Sequence, residues 1–173
     1  MKIVNLDGYT TNPGDLSWDW LGNYGEYKVY DRTAPEQIAE RAKGADVLII
    51  NKSVITAQML ENLPNLKFVG LQSTGYNVID CKAARARNIT VSNIPAYSTT
   101  GVAQLVFAFI LQVADNVSLH SDAVHNGEWC ECPDFCFWKT PLTELDGKTI
   151  GIIGFGSIGR RVAQIANAFG MNV

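Results

Sequence analysis

No run of apolar residues in this sequence approaches the ~18 that a membrane-crossing helix requires. The opening Met1-Lys2-Ile3-Val4-Asn5 runs straight into an apolar stretch, without the charged and hydrophobic regions of a secretory leader. There is no excess of basic residues. A net charge of -3 offers nothing to draw phosphate backbones, so nucleic acid is not an expected partner. Charged residues make up only 18% and hydrophobic residues 47%, which sets the chain apart from disordered sequences. The expectation is a folded cytoplasmic protein with no membrane partner.

A second cysteine knuckle is also missing. Four cysteines occur, and three crowd the stretch Cys130-Glu131-Cys132-Pro133-Asp134-Phe135-Cys136, with His125 nearby. Structural zinc usually takes cysteine pairs held on two separate knuckles, and only one cluster is present. Reduced thiols in a cytosolic loop, with no metal, are expected instead.

What the sequence does have is a regular alternation of strand-like and helix-like segments over residues 1–98. Strands are predicted at Lys2–Leu6, Glu26–Tyr30, Val47–Ile50, Leu66–Leu71 and Ile89–Val91. Val47-Leu48-Ile49-Ile50 is apolar throughout, as a strand covered on both faces must be. Between the strands, helices are predicted near Asp15–Leu21, from a Thr33–Glu36 capping box to Lys43, after Thr56, and over Asp80–Arg87. Gly44 is placed to end the second of these. Five strands separated by helices predict an α/β fold with a doubly wound parallel sheet. Ligands of such sheets sit beyond the carboxyl ends of the strands, which singles out Asn51–Ser53, Gln72–Asn77 and Asn93–Thr100.

Residues 99–173 read differently. A helix from about Thr100 to His120 carries apolar residues on nearly every face and is expected to be buried almost all round. Residues 121–146 are expected to form a long loop. Its Trp129, Phe135, Phe137 and Trp138 must pack either on another subunit or on the chain's own domain.

An apolar strand, Thr149–Ile153, then leads into Gly154-Phe155-Gly156-Ser157-Ile158-Gly159 and a helix ending at Gly170. In that context each glycine has a task. Gly154 permits the tight turn, Gly156 lets the backbone approach a pyrophosphate, and Gly159 lets helix and strand pack closely. Amides near Ser157 and Ile158, with the positive end of the helix dipole, then face the phosphates.

At this point the chain resembles the D-isomer-specific 2-hydroxyacid dehydrogenases, glycerate dehydrogenases and hydroxypyruvate reductases in particular. The resemblance rests on Leu71–Asp80, Asn93–Ser98, the helix Thr100–Leu111 and Gly147–Gly159, in the family's order. It implies a flavodoxin-like substrate lobe (residues 1–98) and the start of a Rossmann dinucleotide-binding domain (residues 99–173). It also implies NAD as cofactor with NADP left open, a small 2-oxo or D-2-hydroxy acid as substrate, and a homodimer. Carried over position by position, Thr74 and Gly75 match the turn that holds the substrate carboxylate through backbone N–H groups. Tyr97 matches a tyrosine near the substrate; it donates to a carboxylate or is packed between lobes. Lys52 either adds positive charge at the cleft mouth or is simply solvated. Thr100 matches a residue near the nicotinamide ring, or serves as an ordinary N-cap.

The family transfers a hydride using a histidine acid/base, a carboxylate behind it and a substrate-gripping arginine, all downstream of the glycine turn. The sequence stops at Val173, and His120 and His125 precede that turn, so neither is assigned a catalytic role. The 173 residues are therefore expected to be a fragment, inactive alone. A dinucleotide-sensing corepressor of the same fold is the alternative from the binding class.

Overall fold

The computed structural model describes residues 1–173, which divide into two compact units, Met1–Pro95 and Ala96–Val173. The first is built on five short parallel strands: β1 (Lys2–Asn5), β2 (Glu26–Val29), β3 (Val47–Ile50), β4 (Phe68–Leu71) and β5 (Thr90–Ser92). They lie in the order β2-β1-β3-β4-β5, so the direction of winding reverses between β1 and β3. Three short helices connect them: α1 (Ile38–Ala42), α2 (Ala57–Glu61) and α3 (Cys81–Ala86).

Strand alternation decides where the core sits. Val4, Leu48, Ile50, Val69 and Leu71 point to one face and meet Ile38, Leu60 and Ala84 from the three helices. Leu48, Ile50, Leu60, Val69 and Ala84 are fully buried. Each of the larger side chains stabilises the unit by about 2 kcal/mol through burial. The opposite face is less covered, because all three helices contribute to that one cluster. Val47, Ile49 and Phe68 are only half-buried, so β3 is not enclosed on both faces as its composition suggests.

Two aspartates staple the sheet at its ends. At the amino edge, the Asp46 carboxylate accepts from Lys2 N (2.8 Å) and Lys67 Nζ (3.3 Å). The Lys2 amide and then the Lys67 ammonium hold the Asp46 carboxyl below its ordinary range. At the carboxyl edge, Asp7 does the corresponding work.

Several local expectations give way. Asp15–Ser17 is irregular and only Asp19–Asn23 winds, as a 3₁₀ turn. Thr33 caps nothing: its hydroxyl donates to Leu6 O and accepts from Arg41. The turn at Pro35–Gln37 is instead closed by Gln37, whose side-chain oxygen accepts from Ala34 N. Thr56 and Asp80 do cap α2 and α3, accepting from Met59 N and Ala83 N. Gly44 ends α1 with φ +73°.

The second unit holds α4 (Thr99–Asp115), α5 (Val117–His125), α6 (Glu128–Glu131) and α7 (Ser157–Ala168). The single long helix of the sequence reading is broken at Asn116, which adopts φ +49° and turns α5 by 61°. Asparagine tolerates that conformation, and its side-chain amide is held by Thr140 Oγ1 at 3.0 Å. The stretch expected as loop thus contains the end of α5 and all of α6. No single helix is long and apolar enough to cross a membrane. Ala103 and Phe107 of α4 pack on Val162, Ala166 and Met171, and Phe107 stacks on Phe169 at 5.3 Å. The rest of α4 is not buried all round: Phe109 is 64% and Val113 79% exposed.

Candidate functional site

The carboxyl edge of the sheet carries the loops named from sequence, and their backbone amides are in very different states. Between β1 and β3, where winding reverses and a ligand crevice is expected, the space is taken by Asp7. Its carboxylate is 3% exposed. Oδ2 accepts from the amides of Asn51 (2.7 Å), Lys52 (2.9 Å) and Ser53 (2.9 Å), and Oδ1 accepts from Ser53 Oγ (3.0 Å). Three converging amides form an anion-binding nest, and the chain fills it with its own anion.

The next loop is built the other way. After β4, Gln72 N continues the ladder to Ile50 O at 2.8 Å. The amides of Ser73, Thr74, Gly75 and Tyr76 then find no acceptor within the chain. The turn is nonetheless fixed from behind. Asn93 Nδ2 donates to Thr74 O (2.8 Å), Thr74 Oγ1 donates to Ile94 O (2.9 Å), and Ile94 N donates to Ser73 O (3.0 Å). Ser73 Oγ donates to Gly75 O at 2.8 Å. Every carbonyl and hydroxyl named here is held by a protein group, while the N–H groups are left free. A short, braced turn with four free amides suits a small anion such as a carboxylate.

The Lys52 amide is committed to Asp7, and its side chain is exposed in solvent. Tyr97 and Thr100 belong to the second unit, and Tyr97 is 64% exposed. Thr100 is not the N-cap of α4: the helix begins at Thr99 with Ser98 before it, so Thr100 lies inside the first turn. Sequence reasoning missed Asp7 and Asn93, whose roles depend on strand neighbours distant in the chain.

In the second unit the glycine turn is open. Gly154 takes φ +97°, a conformation other residues resist. A Cβ on Gly154 or Gly156 would meet nothing within 4 Å, whereas one on Gly159 would collide with the Gly154 carbonyl oxygen. Gly156 is the N-cap of α7. The amides of Phe155, Gly156, Ser157, Ile158 and Gly159 donate to no internal partner, and Arg160 Nη1 braces the turn by donating to Phe155 O at 3.1 Å. No side chain plugs the loop, so it fits a diphosphate laid across the start of the helix. The strand expected before it is reduced to one parallel bridge, Thr149 with Asn172, because Gly151–Ile153 have no ladder partner. Cys130 and Cys136 are exposed and Cys132 half-buried, all as free thiols. They are not grouped with a third metal-ligating side chain in a geometry for a metal ion.

With this geometry in hand, comparison with known proteins is informative. The family model described as D-isomer specific 2-hydroxyacid dehydrogenase, catalytic domain, matches residues 10–168. A hydroxypyruvate reductase of Blautia hydrogenotrophica is 47% identical over 100% of this chain and 55% of its own length. A glycerate dehydrogenase of Methylorubrum extorquens is 38% identical over 86% of the chain and 48% of its own length. Among solved structures, an acyclic imino acid reductase (Bsp5) in complex with NADPH and D-Arg superposes with a TM-score of 0.76. It is 33% identical, over 100% of this chain and 55% of its own. The chain spans about half the length of the curated relatives it matches.

The Asp7 staple makes a specific prediction. Asp7→Ala strands the buried Ser53 amide and the part-buried Asn51 and Lys52 amides and should cost about 3 kcal/mol in urea denaturation. Asp7→Asn can keep its oxygen on the amides and turn its NH₂ to the Ser53 hydroxyl, so about 1 kcal/mol is expected. Equal losses for the two variants would mean that the amides do not depend on this side chain.

Proposed function

The chain belongs to the D-isomer specific 2-hydroxyacid dehydrogenase family, and from that premise we propose that it forms the front half of a nicotinamide-dependent reductase of small 2-oxo acids. Hydroxypyruvate and the corresponding glycerate are the substrates we favour. The observation that carries this reading is the pairing of two sets of free amides. Those of Ser73–Tyr76 suit a single carboxylate, and those of Phe155–Gly159 suit a diphosphate. A dinucleotide and a small acid are the two reactants that such a reductase must hold.

In this reading the Thr74–Gly75 turn orients the acid by its carboxylate, which leaves the adjacent carbon free for chemistry. Gly156 and the amides of Ser157 and Ile158 would hold the cofactor's pyrophosphate, which NAD and NADP share, so the turn itself admits both. The nicotinamide supplies or accepts the hydride. Tyr97 as a hydroxyl donor to the acid, Thr100 near the nicotinamide and Lys52 as added positive charge at the mouth of the substrate site belong to the same proposal. The corepressor reading gains no support from a specific contact.

We also infer a homodimer. Val102, Leu105, Phe109 and Val113 recur along one face of α4, and all four are exposed. Trp129, Phe135 and Trp138 are exposed as well. An apolar stripe of that length on a soluble protein marks a contact surface, and a second copy of the chain covers it most simply. The same reading places the protein in the cytoplasm, where a reducing environment keeps Cys130, Cys132 and Cys136 as thiols.

Two measurements check these points. Gly156→Ala should leave the melting temperature within about 2 °C, since a Cβ there meets nothing, yet weaken NADH binding by about tenfold or more. Undiminished NADH affinity in that variant would overturn the assignment of the turn. Sedimentation should show a dimer that Phe109→Asp converts to monomer; a monomeric parent chain would contradict the homodimer.

A further inference from the structure

On the helix side of the sheet, at the edge formed by β5, lies a cavity of about 530 Å³ that borders the candidate substrate turn through Tyr76 and Asn93. Its floor is apolar, made by Leu71, Ile89 and Val91. Its wall is α3, where Cys81 and Arg85 stand one helical turn apart and both line the space. Tyr76 and Asn93 close its upper end.

The charge in this cavity is of one sign. Arg85 has no carboxylate within ion-pair distance, and no aspartate or glutamate lines the space. Lys82 on α3 and Arg87 at its C-cap add further positive charge, and the N-cap Asp80 is engaged in accepting from Ala83 N. A guanidinium at the rim of a cavity lined about equally by polar and apolar surface, with Leu71, Ile89 and Val91 supplying the apolar part, is matched to a planar anionic head on a partly apolar body. The volume falls within the range of small-molecule sites.

We propose that this cavity is a second ligand site, specific for an organic monoanion: a carboxylate paired with Arg85, and an apolar body resting on Leu71, Ile89 and Val91. The site is independent of the dehydrogenase reading. It does touch the candidate substrate turn, because Tyr76 ends that turn and Asn93 holds Thr74 O. An occupant would therefore press on the groups that fix the free amides of Ser73–Gly75.

Cys81 provides a reporter inside the cavity, with Cys130 and Cys136 as exposed controls in the same chain. In alkylation, the thiolate sulfur attacks the methylene carbon of the reagent, iodide leaves, and the thiol proton passes to solvent. Peptide mass mapping gives the rate at each cysteine with anionic iodoacetate and neutral iodoacetamide. The iodoacetate-to-iodoacetamide rate ratio at Cys81 should exceed that at Cys130 and Cys136 by about tenfold, the effect of one charge-assisted hydrogen bond. Arg85→Gln should bring it down to the control value. 4-Phenylbutyrate should protect Cys81 from iodoacetamide saturably in the parent chain and about tenfold less well in Arg85→Gln, whereas neutral 4-phenylbutyramide should not protect. Equal ratios at the three cysteines, or protection indifferent to Arg85, would overturn the proposal. Arg85 is exposed, so the variant leaves the core intact.

Discussion

The carboxylate of Asp7 decides which part of the sheet edge stays open. In a sheet ordered β2-β1-β3-β4-β5 the crevice between β1 and β3 is the natural ligand position. Here that position is filled from within, by a buried anion that takes three amides of the β3 loop. The nest one strand further, after β4, is left with its amides free. The loop whose amides are taken is held rigid, and it stands beside the loop whose amides are free. A single side chain thus both stabilises the edge and moves the candidate site along it.

Much of this was legible in the sequence, and the limits of legibility have physical causes. The five strands, their parallel sense and the cap at Thr56 follow from local signals: short apolar runs and an oxygen-bearing side chain at a helix start. The glycine turn is also local: Gly154 takes φ +97°, and Gly159 packs against the Gly154 carbonyl five residues before it. Asp7 was not legible, because its partners lie 44 to 46 positions away and only strand pairing brings them together. The Thr33–Glu36 capping signal failed for the same reason: Thr33 found a better acceptor in Leu6, across the sheet. The break at Asn116 left only a faint trace, an asparagine within a helical pattern, and propensity alone rarely identifies such a residue as left-handed.

In the second unit the glycine turn stays open at the start of α7, although the strand leading into it has only one bridge to pair with. The form survives because α7 anchors it: Gly159 packs against the Gly154 carbonyl, and Val162 and Ala166 seat the helix on α4. Within these residues the open turn is therefore held by the helix and its glycines.

The account rests on a contrast between two neighbouring loops, and amide NMR of the ¹⁵N-labelled chain addresses it directly. On titration with oxamate, a small acid that mimics the proposed 2-oxo acid substrate, the resonances of Ser73–Tyr76 should move saturably while those of Asn51–Ser53 stay in place. Movement at Asn51–Ser53 with none at Ser73–Tyr76 would contradict the account, because the acid would then be taking the nest assigned to Asp7.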